Sequence, residues 1–252
     1  MIQVISATKR FGGRRVIDAV SLEILTGAVT VILGPSGAGK TTLLRLIAGL
    51  DQPSAGQILI DGEPAEPSRT AFVFQEDTVF PWLSIRDNVK FSLGLTSASA
   101  DVRKNSATIV TQLCDEMGLT EILDQFPATV SAGQRQRCIL ARAVVSNPSL
   151  LLCDEPFSSL DEPVRQALRE AILAIRRQYG TTVVFVTHSV EEAAFLADRI
   201  VLCSGPPLQI QTEFRVPFDG IRTSQLRKAE TFRGFTETLE EAIEASWGAA
   251  AP

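Results

Sequence analysis

The stretch "ILGPSGAGKTTLL", Ile32 to Leu44, holds the pattern G-x-x-x-x-G-K-[ST] from Gly34 to Thr41. It follows the apolar run "AVTVIL" and opens the helical run "TTLLRLIAGL", and strand, glycine-rich turn and helix are the context in which this spacing cradles phosphate. Gly34, Gly37 and Gly39 let the backbone curl so that N–H groups point inward at an anion, with Pro35, Ser36 and Ala38 completing the loop. The helix start near Lys40 adds its positive end. Lys40 supplies a mobile charge for the β- and γ-phosphates, the Thr41 hydroxyl suits Mg²⁺, and Thr42 stands beside it in the same binding set. The expectation is a nucleoside triphosphate site on an α/β fold of the P-loop kind.

Working outward, "VISAT", "VIDAVSLEIL" and "AVTVIL" are short β-branched runs separated by turns, and "QILIDGEP" reads as a hairpin around Asp61-Gly62. "TAFVFQ", "SLLLCDE" and "TTVVFVTH" are nearly continuous apolar runs, as expected of parallel strands buried on both faces. Between Ile85 and Pro148 the strand signal disappears, while Ile109, Leu113 and Met117 recur at helical spacing, so residues 85–147 read as an inserted helical subdomain. Glu162 to Tyr179 reads as a helix entered from Asp161 with Pro163 in its first turn and ended by Gly180. Ser189 and Glu192 have capping-box spacing. After about Gln211 the chain turns more polar, and Ser224 to Trp247 reads as helical.

Two carboxylates end the run "LLLCDE". Strand alternation is expected to send them in different directions, Asp154 to the Mg²⁺ shell and Glu155 to the attacking water as general base. His188, the single histidine, follows the last apolar run, where a parallel strand opens into the ligand crevice; there it suits the γ-phosphate or the water. Gln75 holds the equivalent place after "AFVF" and can reach metal or water without adding charge. A second turn, "VSAGQ", also opens a helix. With one phosphate cradle already at Lys40, this turn is expected to serve the ATP of a partner subunit, in a head-to-tail twofold pair with ATP between the two subunits.

Taken together, "GPSGAGKT", the Gln75 loop, "VSAGQ" in place of L-S-G-G-Q, "LLLCDEP", "SSLD" (Ser158 to Asp161) and "TH" at His188 resemble the nucleotide-binding subunit of ABC transporters. The likeness covers nearly all of residues 1–210. "VFQEDTVFPWLSIRDNV" and "THSVEEAAFLADRI" are similar to the ATPases of nitrate/sulfonate/taurine-type importers. The resemblance implies an ABC-type P-loop domain with an N-terminal antiparallel part, a mostly parallel RecA-like core sheet and a helical subdomain. It divides the single domain into a core of residues 1–84 and 148–210, the insertion 85–147 and a C-terminal extension 211–252. It also implies Phe11 stacking on adenine, and Ser131, Ala132, Gly133, Gln134 and Asp161 contacting the nucleotide across a homodimer. Two membrane permease subunits are expected to dock near Gln75 to Trp82, through Phe80, Pro81 and Trp82, with a substrate-binding protein acting indirectly. Ala132 replaces the family's first signature glycine; if that site needs φ > 0, hydrolysis would be slowed about tenfold. Ser189 replaces the Asp that usually follows the histidine, and it can still cap its helix.

With 252 residues, 45% of them hydrophobic, the chain is long enough for a large core. A net charge of -5 gives no electrostatic footprint for nucleic acid. No run reaches the ~18–20 apolar residues of a membrane span, and Met1 to Arg10 lacks a secretory apolar segment. Cys114, Cys138, Cys153 and Cys203 read as reduced, buried thiols. The expectation is a peripheral ATPase at the cytoplasmic face of the cell membrane, driving import of a small anion or organic solute. The alternatives are a soluble ABC ATPase uncoupled from transport and an ATP-dependent dimerisation module with weak turnover.

Overall fold

The structure is a computed structural model and describes residues 1–66, 70–76, 78–95, 106–158 and 160–247. Ser159 of the "SSLD" motif and Asp77 of the Gln75 to Trp82 segment lie outside the described residues. Strands β1 (Ile2–Phe11) and β2 (Arg14–Ile24) form a hairpin across Gly12-Gly13, both at positive φ. Then β4 (Ala55–Ile60) pairs with β1, and β5 (Glu63–Pro64) returns through the Asp61-Gly62 turn expected from the sequence. The order β2-β1-β4-β5 makes a small antiparallel sheet.

The second sheet has the order β10-β9-β3-β8-β7-β6. Its parallel members are β3 (Val29–Leu33), β6 (Thr70–Val73), β7 (Leu150–Asp154), β8 (Thr182–Thr187) and β9 (Arg199–Ser204). Along β3, β7 and β8 every residue is buried, because both faces are covered. Val31, Cys153 and Phe185 face one core, whereas Ile32, Leu152 and Val184 face the other. The expected two-sided burial fails for β6: it is the edge strand, its first three residues are half-buried, and Phe74 beyond it is exposed. Antiparallel β10 (Gln209–Arg215), absent from the sequence expectation, closes the other edge and carries the core sheet past Gln211.

Helix α1 (Lys40–Ile47) puts Leu43, Leu44, Leu46 and Ile47 into the core shared by the two sheets. The other core lies under α2 (Ile85–Leu95), α3 (Ser106–Glu116), α4 (Ala132–Val144), α5 (Glu162–Tyr179), α6 (Val190–Leu196) and α7 (Glu230–Trp247). Among the described residues, 85–147 contain only helices and turns. Helix α5 has the bounds expected from its sequence, capped by Asp161 and ended by Gly180 at φ 66°. In the C-terminal part the long helix begins only at Glu230, after a short 3-10 turn at Leu226–Lys228. No helix among the described residues is long and apolar enough to cross a membrane.

Candidate nucleotide site

Parallel register brings the ends of three strands together. Leu33 pairs with Thr187 and Asp154 with Val186, so Gly34, Glu155 and His188 all leave the sheet at the same edge. Gly34 N–H donates to Thr187 O (3.3 Å) and Glu155 N–H to Val186 O (3.1 Å), which pins the three loops to one another. Gln75 leaves the neighbouring edge strand and is exposed.

The glycine loop needs its glycines for two different reasons. Gly37 (φ 76°) and Gly39 (φ 111°) take left-handed conformations, and a Cβ on Gly39 would lie 2.8 Å from the Val16 carbonyl oxygen. Gly34 has no positive φ, but a Cβ there would press on Cys203 O at 3.2 Å and Lys40 Cδ at 3.4 Å. Pro35 and Ala38 close a turn within the loop, Ser36 and Gly37 are exposed at its tip, and Thr42 is half-buried in α1. Lys40 is 4% exposed and its ammonium donates to Gly34 O and Pro35 O, both at 2.9 Å. Glu155 Oε1 lies 3.1 Å from the same nitrogen.

Thr41 Oγ1 donates to Asp154 Oδ1 at 3.1 Å. Burial pushes the Asp154 carboxyl up from its ordinary pKa, and the negative charge of Glu155 adds to the rise; the Thr41 hydrogen bond and Lys40 oppose it. A buried carboxylate set beside a hydroxyl is a hard-oxygen pair of the kind that would suit Mg²⁺. Among the described residues no group of three His, Cys, Asp or Glu side chains forms a metal cage.

Glu155 corrects one expectation. It stands at φ 42°, outside extended geometry, so strand alternation does not separate the two carboxylates. Both turn into the site, Asp154 towards Thr41 and Glu155 between Lys40 and His188, whose Nδ1 is 2.9 Å from Glu155 Oε2. The imidazole itself is largely exposed.

The second turn carries a complete capping box: Gln134 N–H donates to Ser131 Oγ (3.2 Å) and Ser131 N–H to Gln134 Oε1 (2.9 Å). Two of the N–H groups expected to face a ligand are therefore used internally, and the amides of Ala132 and Gly133 remain at the helix start. Ala132 is the first residue of α4 and has no positive φ, so the expected strain from replacing glycine is absent. Gly133 is the position that needs glycine, since a Cβ would lie 2.7 Å from Val164 Cγ1. Ser189 caps α6, but Glu192 does not complete a box; its carboxylate turns inward to Thr187 and Arg169.

Away from this edge, Phe11 is 49% exposed, with Lys9 Nζ 4.9 Å from its ring centroid. Trp82 is 70% exposed. Phe80 packs on Trp82, Phe91 and the Arg142 guanidinium, while Asn88 holds its backbone. All four cysteines are free and buried, and burial pushes the Cys114 thiol to about 11 and the Cys203 thiol to about 12.

A glycine loop wrapped on a helix start, a hydroxyl–carboxylate pair and a second carboxylate on a histidine, at the carboxyl edge of a parallel sheet, define a P-loop nucleotide-binding cassette. A family model described as ABC transporter matches residues 17–158, and the chain belongs to the ABC transporter family. It is 41% identical over 232 residues to the sulfate/thiosulfate import ATP-binding protein CysA of Bordetella parapertussis, covering 86% of this chain and 65% of that protein. It is 39% identical over 208 residues to the aliphatic sulfonates import ATP-binding protein SsuB 1 of Mesorhizobium japonicum, covering 82% and 77%. The chain thus spans about two thirds of the length of the CysA relative. The dimeric structure of the bacterial ABC transporter cassette MJ0796 superimposes with a TM-score of 0.76 at 27% identity, over 87% of this chain and all of that one.

Proposed function

We propose that this chain is the ATP-hydrolysing subunit of an importer for small oxyanions or sulfonates, working as a head-to-tail homodimer on two membrane permease subunits. One observation carries the catalytic part: a single carboxylate, Glu155, faces Lys40 with one oxygen and His188 with the other, beside the Thr41–Asp154 pair. In this reading the loop from Gly34 to Thr42 binds the phosphates, Phe11 stacks on the base, and Glu155 takes a proton from the attacking water. His188 orients that water or the γ-phosphate. Thr41, Asp154 and Gln75 would hold Mg²⁺, which would supply charge neutralisation on the phosphates.

The Ser131 helix start, with the amides of Ala132 and Gly133, and the Asp161 turn face the partner's nucleotide. Two helix starts on one subunit, at Lys40 and at Ala132, and the dimeric form of the MJ0796 cassette support this arrangement. The exposed Trp82 on its anchored Phe80 supports permease docking near Gln75 to Trp82, an aromatic anchor in a polar setting being a common hot spot. Docking there makes the chain peripheral at the cytoplasmic face of the membrane. The substrate class rests on the import proteins for sulfate and sulfonates among its relatives. The weak-turnover alternative rested on Ala132, and of its two grounds the helical conformation there removes the backbone strain but not the methyl added where backbone would approach phosphate.

The test is ATPase activity with Mg²⁺, together with mass in solution with and without ATP. Wild type is expected to turn over; Glu155→Gln is expected to bind ATP, lose turnover and accumulate a dimer, and Lys40→Ala to remain monomeric. A Glu155→Gln chain that stays monomeric at saturating ATP would contradict the dimer.

A further inference from the structure

Behind His188 runs a chain of buried polar contacts that the chemistry above does not use. Thr187 Oγ1 donates to Glu192 Oε2 at 2.7 Å and accepts from Ser189 N–H at 3.0 Å, so the residues on both sides of His188 hang on one hydroxyl. Glu192 is 5% exposed, and Arg169 Nη2 reaches its other oxygen at 3.4 Å. Arg169 is 1% exposed, and its Nη1 donates to Glu162 Oε1 at 2.8 Å, one residue beyond Asp161. Arg227, from the C-terminal segment, contacts both Glu162 and Glu191 and covers the set from outside.

Burying an arginine and a glutamate is costly, and apolar residues of similar size commonly serve stability as well or better. This pair is also imperfect: one contact is long, and Arg169 Nε has no hydrogen-bond partner. What such a network supplies is position. We infer that Glu192 is a positioning residue for His188, holding Thr187 directly and tying the His188 turn to the Asp161 turn through Arg169 and Glu162. The inference rests on the reading of His188 given above and names what keeps that imidazole on Glu155.

Because His188 is the only histidine in the chain, its imidazole gives a single, unambiguous NMR signal. Thr187→Val removes the shared hydroxyl while keeping shape and strand propensity. The expected result is an imidazole signal that shifts and sharpens as the ring is released, with Thr187→Ser restoring it. In steady-state kinetics, kcat is expected to fall ten- to a hundredfold with KM for ATP within about twofold. Thr187→Val added to His188→Ala is expected to cost nothing further. An unmoved imidazole signal, an unchanged kcat, or losses that multiply in the double variant would overturn the inference. Should Thr187→Val melt early, Glu192→Leu, which removes both acceptor oxygens, replaces it with the same expected readouts, and the same failures count against it. If His188→Ala turns over like wild type, the role given to His188 fails, while the imidazole signal still decides whether Glu192 positions the ring.

Discussion

Asp154 and Glu155 are adjacent in sequence but differ in kind. Asp154 ends a strand and is buried; Glu155 is bent into the left-handed region, where a side chain of its size seldom sits. Their residue types and place after "LLLC" were legible in the sequence, because an apolar strand ending in acids is a local signal. The φ of Glu155 was not, since it follows from the Val186 and Lys40 contacts made by distant segments. Asp154 yields a prediction at this scale. Its pKa is raised on folding, so the folded chain holds its proton to higher pH than the unfolded chain does, and stability falls as pH rises from the ordinary aspartate value through the raised one. Asp154→Asn is therefore expected to raise Tm at neutral pH, with the gain vanishing below the ordinary aspartate range and ATP turnover lost. Thermal melts across pH check the sign.

Among elements, those with local punctuation were readable and those defined by their neighbours were not. Helix α5 carries its own Asp161 cap, Pro163 and terminal Gly180, and the chain from Gly34 to Ile47 carries its own loop and helix start. Strand β10 announces itself only weakly: Ile210 and Phe214 are its two apolar residues, five of its seven residues are exposed, and it pairs along the edge that β9 offers. Similarly, Gly133 reads as half of a phosphate-binding turn, yet its tightest constraint is the approach of α4 to Val164 at the start of α5. Gly133→Ala is expected to destabilise the chain by about 1–3 kcal/mol as the two helices are forced apart. Val164→Ala in the same chain should recover most of that loss. Denaturant melts of the single and double variants provide the check, and a Gly133→Ala chain as stable as wild type would show that the two helices separate freely.

At the scale of the molecule, one mostly parallel sheet divides two cores, and the site lies along the edge where both end. The segment after β10 is secured both under the sheet and beside that edge, where Cys203 O abuts Gly34. Arg222 is buried and donates to the carbonyls of Phe218, Phe195 and Ala197, and Trp247 Nε1 donates to Cys203 O on β9 at 3.0 Å. The two tryptophans therefore occupy opposite conditions, Trp82 standing in solvent and Trp247 half-buried on the sheet. This gives the chain a built-in optical readout of assembly. With Trp247→Phe, the remaining indole emits from water, and seating of a permease helix over Trp82 is expected to move that emission to the blue, whereas nucleotide alone should leave it unmoved. An emission unchanged by reconstitution with the membrane subunits would place their contact elsewhere. The exposed ring would let light report a partner seated on that face, without any added dye.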